Sequence, residues 1–153
     1  MNRQWLFKGE QLLQTVWIGG LLVVGYLAVP ILFQTLDDRR LAGAVAGSMF
    51  SAMSIVGFIC GGALLLSALV ASGSRWLKTR RVQVLLIMLC LVTIGFFVLQ
   101  PMMQTLKAVG YQPGSEVAAQ FGRLHGISSL LYLATSLLGV YLVMMQARTS
   151  GQA

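Results

Sequence analysis

Four stretches of this sequence contain no Asp, Glu, Lys or Arg: Leu12 to Leu36, Ala44 to Ala71, Val82 to Met103 and Leu124 to Met145. Each is longer than the ~18 to 20 apolar residues that a helix needs to cross about 30 Å of hydrocarbon. A buried helix of a water-soluble protein is shorter and keeps a polar face. With 57% hydrophobic and 10% charged residues, the chain also departs from the roughly one-quarter charged composition of soluble domains. The expected fold is an all-α membrane protein, a four-transmembrane-helix bundle forming one domain over residues 1–153.

The net charge of +7 invites a nucleic-acid reading, but its placement argues for topology. Arg3, Lys8, Arg75, Lys78, Arg80, Arg81 and Arg148 fall on the side of the amino terminus; Arg39, Arg40, Lys107 and Arg123 fall on the other. By the positive-inside rule the richer side is cytoplasmic, so both termini are expected inside. Asp37, Asp38 and Glu116 sharpen the asymmetry, and the basic 75–81 connection would attract anionic headgroups. No nucleic-acid partner is expected; the partner is the lipid bilayer. The first apolar run is too long for a signal segment and lacks a cleavage pattern, so it is read as an uncleaved span. Cys60 and Cys90 lie near mid-span, with neither a disulfide nor metal-ligand spacing expected.

The second run carries the clearest packing signal. Gly43, Gly47, Ser51, Ser54, Gly57 and Gly61 are separated by steps of 4, 4, 3, 3 and 4. The mean is the helical repeat, so all six line one face. A face without large side chains lets helices approach closely where lipid supplies no hydrophobic force. Phe50 shares this face as a knob.

Elsewhere, Pro30 and Pro101 predict kinks in the first and third helices, the first near Tyr26. Thr15, Gly19, Tyr26 and Phe33 share the face expected to meet the bundle. Asp37 or Asp38 is a candidate cap for the second helix, and Ser115 for a fourth helix that begins with Glu116, before the membrane. His125, Ser129, Tyr132, Ser136 and Gly139 follow a 4-3-4-3 spacing that predicts a polar seam pointing inward. No internal repeat stands out.

His125 is the only histidine, expected near the outer boundary. Gln100, Gln104, Ser129 and Tyr132 are its candidate polar neighbours, with Met49, Met53, Met102 and Met103 expected at similar depth. Thioethers with imidazole suit Cu(I), and a His/Met pair can hold haem iron, so copper or haem is one reading, with His125, Met49, Met53 and Met103 as ligands. The other is a polar cluster in which His125 hydrogen-bonds within the bundle and the methionines are filler. Bis-histidine ligation within one chain is excluded. With no acid inside any apolar run, neither a hydrolytic triad nor a proton-coupled carrier is favoured.

Trp17-x-Gly19, Pro30-x-x-Phe33, Gly43-x-x-x-Gly47-x-x-Phe50 and Leu124-His125-Gly126-Ile127-Ser128 occur in this order across four spans. In this the chain resembles the domain-of-unknown-function family 4149, which includes the transmembrane protein 205-like proteins and is distantly similar to the copper-resistance D membrane domain. The resemblance implies a multi-pass protein of the bacterial inner membrane and a link to soft metals. The family pattern has an asparagine about seven residues after the histidine; this chain has Tyr132.

Two functional readings follow. In the first, the outer His/Gln/Met cluster binds a soft metal or small ligand. In the second, a non-catalytic bundle assembles with copies of itself or with other membrane proteins through the Gly/Ser face of the second helix. A haem-dependent membrane oxidoreductase ranks third, and no enzymatic activity is expected.

Overall fold

The computed structural model describes residues 3–72, 77–110 and 114–150, with side chains described for all of these except 3, 4, 72 and 147–150. Six α-helices form four spans. The first span joins α1 (Arg3–Val23) to α2 (Val29–Thr35) through a π turn, Val24–Ala28; the second is α3 (Arg39–Ser72). The third joins α4 (Arg80–Ile94) to α5 (Gln100–Val109) through a second π turn, Gly95–Leu99; the fourth is α6 (Glu116–Ser150). The apolar spans run Trp5–Thr35, Arg39–Ala71, Arg80–Val109 and Glu116–Gln146, each long enough to cross a bilayer. The helices extend past most ends of the charge-free runs, because a helix continues into the headgroup region wherever polar side chains suit it. Leu36 is the exception: its backbone is extended, at φ −94° and ψ 122°, and ends the first span one residue early.

Each span packs against the next along the chain, and α6 closes the ring against α1 and α4. The bundle therefore has a terminal end, with the start of α1 and the end of α6, and a loop end, with the 36–38 turn, the end of α5 and the start of α6. Both expected caps lie at the loop end. Asp38 Oδ1 accepts from the backbone N–H of Arg40 at 2.8 Å and of Leu41 at 3.2 Å. Ser115 Oγ accepts from Ala118 N–H at 3.2 Å, with Glu116 in the positive first turn of α6. Tyr111, Gln112 and Pro113, between α5 and α6, lie outside the described residues, as do residues 73–76 of the basic connection.

The two prolines are absorbed rather than broken around. A proline has no N–H to donate and its ring crowds the carbonyl four residues back. Here the chain widens just before each one: Val29 N–H donates to Val24, and Gln100 N–H to Gly95, both five residues back. Right-handed helical dihedrals persist on both sides, at Val23 and Ala28. Pro30 and Pro101 each stand six positions after the first residue of their π turn, Val24 and Gly95. The first and third spans thus share a device that their sequences, VGYLAVP and GFFVLQP, do not advertise.

The core lies toward the terminal end. Trp17, Ile18 and Leu21 of α1 meet Cys60 and Leu64 of α3, Val84, Leu85 and Met88 of α4, and Leu142 of α6. The small face of α3 makes this closeness possible, and its neighbours lie within the chain. A methyl group at Gly57 would sit 2.8 Å from the Trp17 Nε1 atom, and one at Gly61 only 2.7 Å from Leu89 Cδ2 and 3.1 Å from the Trp17 ring. Toward the loop end the stripe loosens: Gly43 meets Lys107 at 3.7 Å, and nothing lies within 4 Å of a methyl at Gly47. The buried indole cannot yield without displacing the core. Gly57→Ala and Gly61→Ala should each destabilise the bundle by about 1–3 kcal/mol, whereas Gly47→Ala should be neutral or stabilising by up to ~1 kcal/mol. Equilibrium unfolding in detergent micelles checks the ranking; equal losses at all three glycines would contradict it.

Candidate functional site

The face of α1 that presents Trp17 also carries Glu10 and Gln14, by steps of 4 and 3. Glu10 stands near the start of the first span, two residues before its charge-free run begins. It faces the start of the third: Arg81 Nη1 donates to Glu10 Oε2 at 2.7 Å. The Ser67 hydroxyl of α3 donates to the other carboxylate oxygen. One carboxylate thus joins three spans at one level, with the Glu10 and Arg81 side chains 14% and 30% exposed. No acid lies inside a charge-free run; α1 is helical from Arg3 and so carries Glu10, just ahead of the first run, into the bundle. Arg81, the second residue of α4, arrives at the right depth to neutralise it.

This centre is rich in donors. Arg81 Nε and Nη2 and the Gln14 amide nitrogen are buried without an acceptor among the described residues, and Gln14 is only 2% exposed. The Trp17 indole N–H is also without an acceptor, but it is pressed against Gly57 and belongs to the packing. Beside the ion pair a groove opens, lined by Trp5, Leu6, Gly9, Glu10, Leu13 and Ser67. Chemically, the arrangement is a carboxylate whose charge is held by one edge of a guanidinium, with the other edge and a nearby amide free to bind oxygen.

The residues singled out at the loop end distribute themselves differently. Gln100 turns to α3, donating to the Gly47 carbonyl at 3.0 Å and to the Ser51 hydroxyl. Gln104 is exposed. Lys107 donates to the Gly43 carbonyl at 3.0 Å and lies 5.6 Å from the centre of the Phe121 ring. His125 is exposed and stacks on Phe121, with ring centres 6.1 Å apart and planes 11° off parallel. Ser129 is exposed too, its hydroxyl donating to the His125 carbonyl at 2.9 Å.

Only the deeper half of the expected seam points inward. Tyr132 donates to the Leu21 carbonyl at 2.7 Å and packs edge-on against Phe50, 5.0 Å between centres. The Tyr132 ring also presses on Gly25, within the first π turn. Ser136 is buried, and a methyl at Gly139 would touch Ile18 at 3.1 Å. At ~100° per residue His125 falls between Tyr132 and Ser136 in azimuth, so the row keeps its face and loses its cover toward the loop end.

The copper or haem ligand set is not assembled. Met53 fills the space beside Gly20 and packs on the core, at the depth of Tyr132. His125 lies seven residues farther along α6, about 10 Å toward the loop end at ~1.5 Å per residue. Met49 and Met103 are partly buried on α3 and α5. Among the described residues no group of three or more His, Cys, Asp or Glu side chains is placed to hold a metal.

Glu10, Gln14 and Ser67 carry no motif, and Arg81 reads only as a topology charge. Two signals in the sequence point to them: the steps of 4 and 3 linking Glu10 and Gln14 to Trp17, and the isolation of Glu10 as the one acid toward the terminal end, among four in the chain.

Among known proteins, the family model DUF4149, a domain of unknown function, matches residues 12–112. That range takes in three of the motifs noted above, at Trp17, Pro30 and Gly43, and also Ser67 and Arg81; it ends before His125 and begins just after Glu10. No curated protein and no solved structure matches.

If the polar centre is a coupled unit, removing one charge strands the other. Glu10→Gln and Arg81→Gln should each cost about 1–3 kcal/mol of stability, and the double variant less than the sum. A double-mutant cycle by unfolding in micelles measures the coupling; strict additivity would contradict the pairing.

Proposed function

The chain belongs to the DUF4149 family, and from that premise and the polar centre we propose that it is a non-enzymatic membrane protein that binds a small organic anion between its spans and carries it together with a proton. The ligand-binding reading is kept, and its site moves from His125 at the loop end to Glu10, Gln14, Ser67 and Arg81. The observation that carries it is the Glu10–Arg81 ion pair between the first and third spans, closed at 2.7 Å. Ionisable side chains that face the interior of a membrane bundle mark solute or proton routes.

Charge balance supplies the mechanism. While Glu10 is ionised it neutralises Arg81, and a second anion would bring an uncompensated charge into a medium of low dielectric. A proton on Glu10 releases Arg81, whose fork then pairs with a carboxylate or phosphate group, and the Gln14 amide donates to a remaining oxygen. Proton and anion therefore bind together with no net charge. The carboxylate lies beside the groove at Trp5 and Gly9, which serves as the route of approach. In this reading the protein sits in a bacterial inner membrane with both termini in the cytoplasm, which the charge distribution supports.

Proteoliposomes loaded with a pH-sensitive dye test the coupling. External addition of impermeant carboxylates should acidify the lumen for at least one anion in a panel. Glu10→Gln, which mimics the protonated state, should retain anion binding and lose proton movement, while Arg81→Gln loses both. Wild-type vesicles that match empty ones for every anion would contradict the proposal, as would Glu10→Gln vesicles that acidify like wild type.

A further inference from the structure

A second groove opens at the terminal end, between the start of α4 and the last turns of α6. Arg80, Tyr141, Met144 and Met145 line it. Tyr141, Met144 and Met145 stand at i, i+3 and i+4 and so share one helix face. Tyr141 is 46% and Met144 53% exposed, and Arg80 is the exposed first residue of α4. The groove thus has a cation at its rim, a phenol on its wall and thioether side chains beneath.

We propose that this groove holds the headgroup of one anionic phospholipid, with Arg80 on the phosphate, the Tyr141 hydroxyl donating to it, and Met144 and Met145 against the glycerol and first acyl carbons. The charge of the occupant follows from its surroundings. Glu10, the acid at this end of the bundle, is engaged by Arg81, and Arg80 has no ion pair among the described residues. Lys78, two residues before it, is exposed and adds to the positive field. Guanidinium groups grip phosphate through two parallel hydrogen bonds. An Arg and a Tyr at the end of a span stand at headgroup level, and the flexible methionines suit disordered chains. A soluble anion would gain nothing from the apolar wall, whereas a lipid uses both parts. This site is independent of the Glu10 centre and stands or falls separately from it.

Native mass spectrometry of the full chain, released from neutral detergent, provides the test. The probes are phosphatidylglycerol, phosphatidylcholine and inorganic phosphate. One phosphatidylglycerol should be retained in preference to phosphatidylcholine. Arg80→Gln should weaken it at least about tenfold, the loss expected when a charged hydrogen bond is removed. Tyr141→Phe, which keeps the ring, should weaken it less, and Arg39→Gln at the loop end should leave it unchanged. Equal retention of the two lipids would overturn the assignment, as would displacement by inorganic phosphate or unchanged affinity in Arg80→Gln. Should Arg80→Gln fail to fold, Tyr141→Phe decides: unchanged affinity there also overturns it.

Discussion

The bundle depends on the seating of the Trp17 indole against the bare backbone of α3. Lipid offers helices no hydrophobic reason to associate, so association relies on close contact. Gly57 and Gly61 let the largest side chain of the core lie directly on a neighbouring helix, and Leu89 reaches the same place from α4. Once α1 and α3 are this near, Glu10 and Ser67 come within hydrogen-bonding distance one to two turns away. The polar centre is then a consequence of the apolar one. The unpaired indole N–H is the cost of the fit, offset by dispersion contacts on every side.

The two ends of the molecule manage polarity in different ways. At the terminal end, side chains of opposite charge neutralise each other between spans. At the loop end, side chains reach across to main-chain carbonyls: Gln100 to Gly47 and Lys107 to Gly43. Glycine leaves those carbonyls uncovered, so the same stripe that admits Trp17 at one end offers acceptors at the other. The Gly57–Gly61 part of this face is thereby engaged within the chain, while the part at Gly47 stays open. The π turns before Pro30 and Pro101 give both hairpins the same adjustment at the same level of the first and third spans.

Much of this was legible in the sequence. Four charge-free runs give four helices because hydrocarbon leaves the backbone no other partner. The steps of 4 and 3 along α3 identify its packing face, and Asp38 and Ser115 announce their helices. Two kinds of information were lost. Helix length was misjudged where a helix outruns its apolar run: Glu10 stands just before the first run, yet α1 is continuous through it and brings it to Arg81. Cover was misjudged where the row nears the loop end: Tyr132 and His125 share a face, but Tyr132 packs against the first and second spans while His125 is exposed. Neither error shows in composition, because each depends on where the partner helix ends.

The central claim is that the polar centre lies where Glu10, Ser67 and Arg81 meet, and not at His125. Paired-cysteine cross-linking reads this directly, in a background with Cys60 and Cys90 replaced by alanine and with a short bis-methanethiosulfonate reagent applied in native membranes. The account predicts rapid cross-linking of Glu10→Cys with Ser67→Cys, and none between Gln100→Cys and His125→Cys. Efficient cross-linking of the second pair with failure of the first would contradict it.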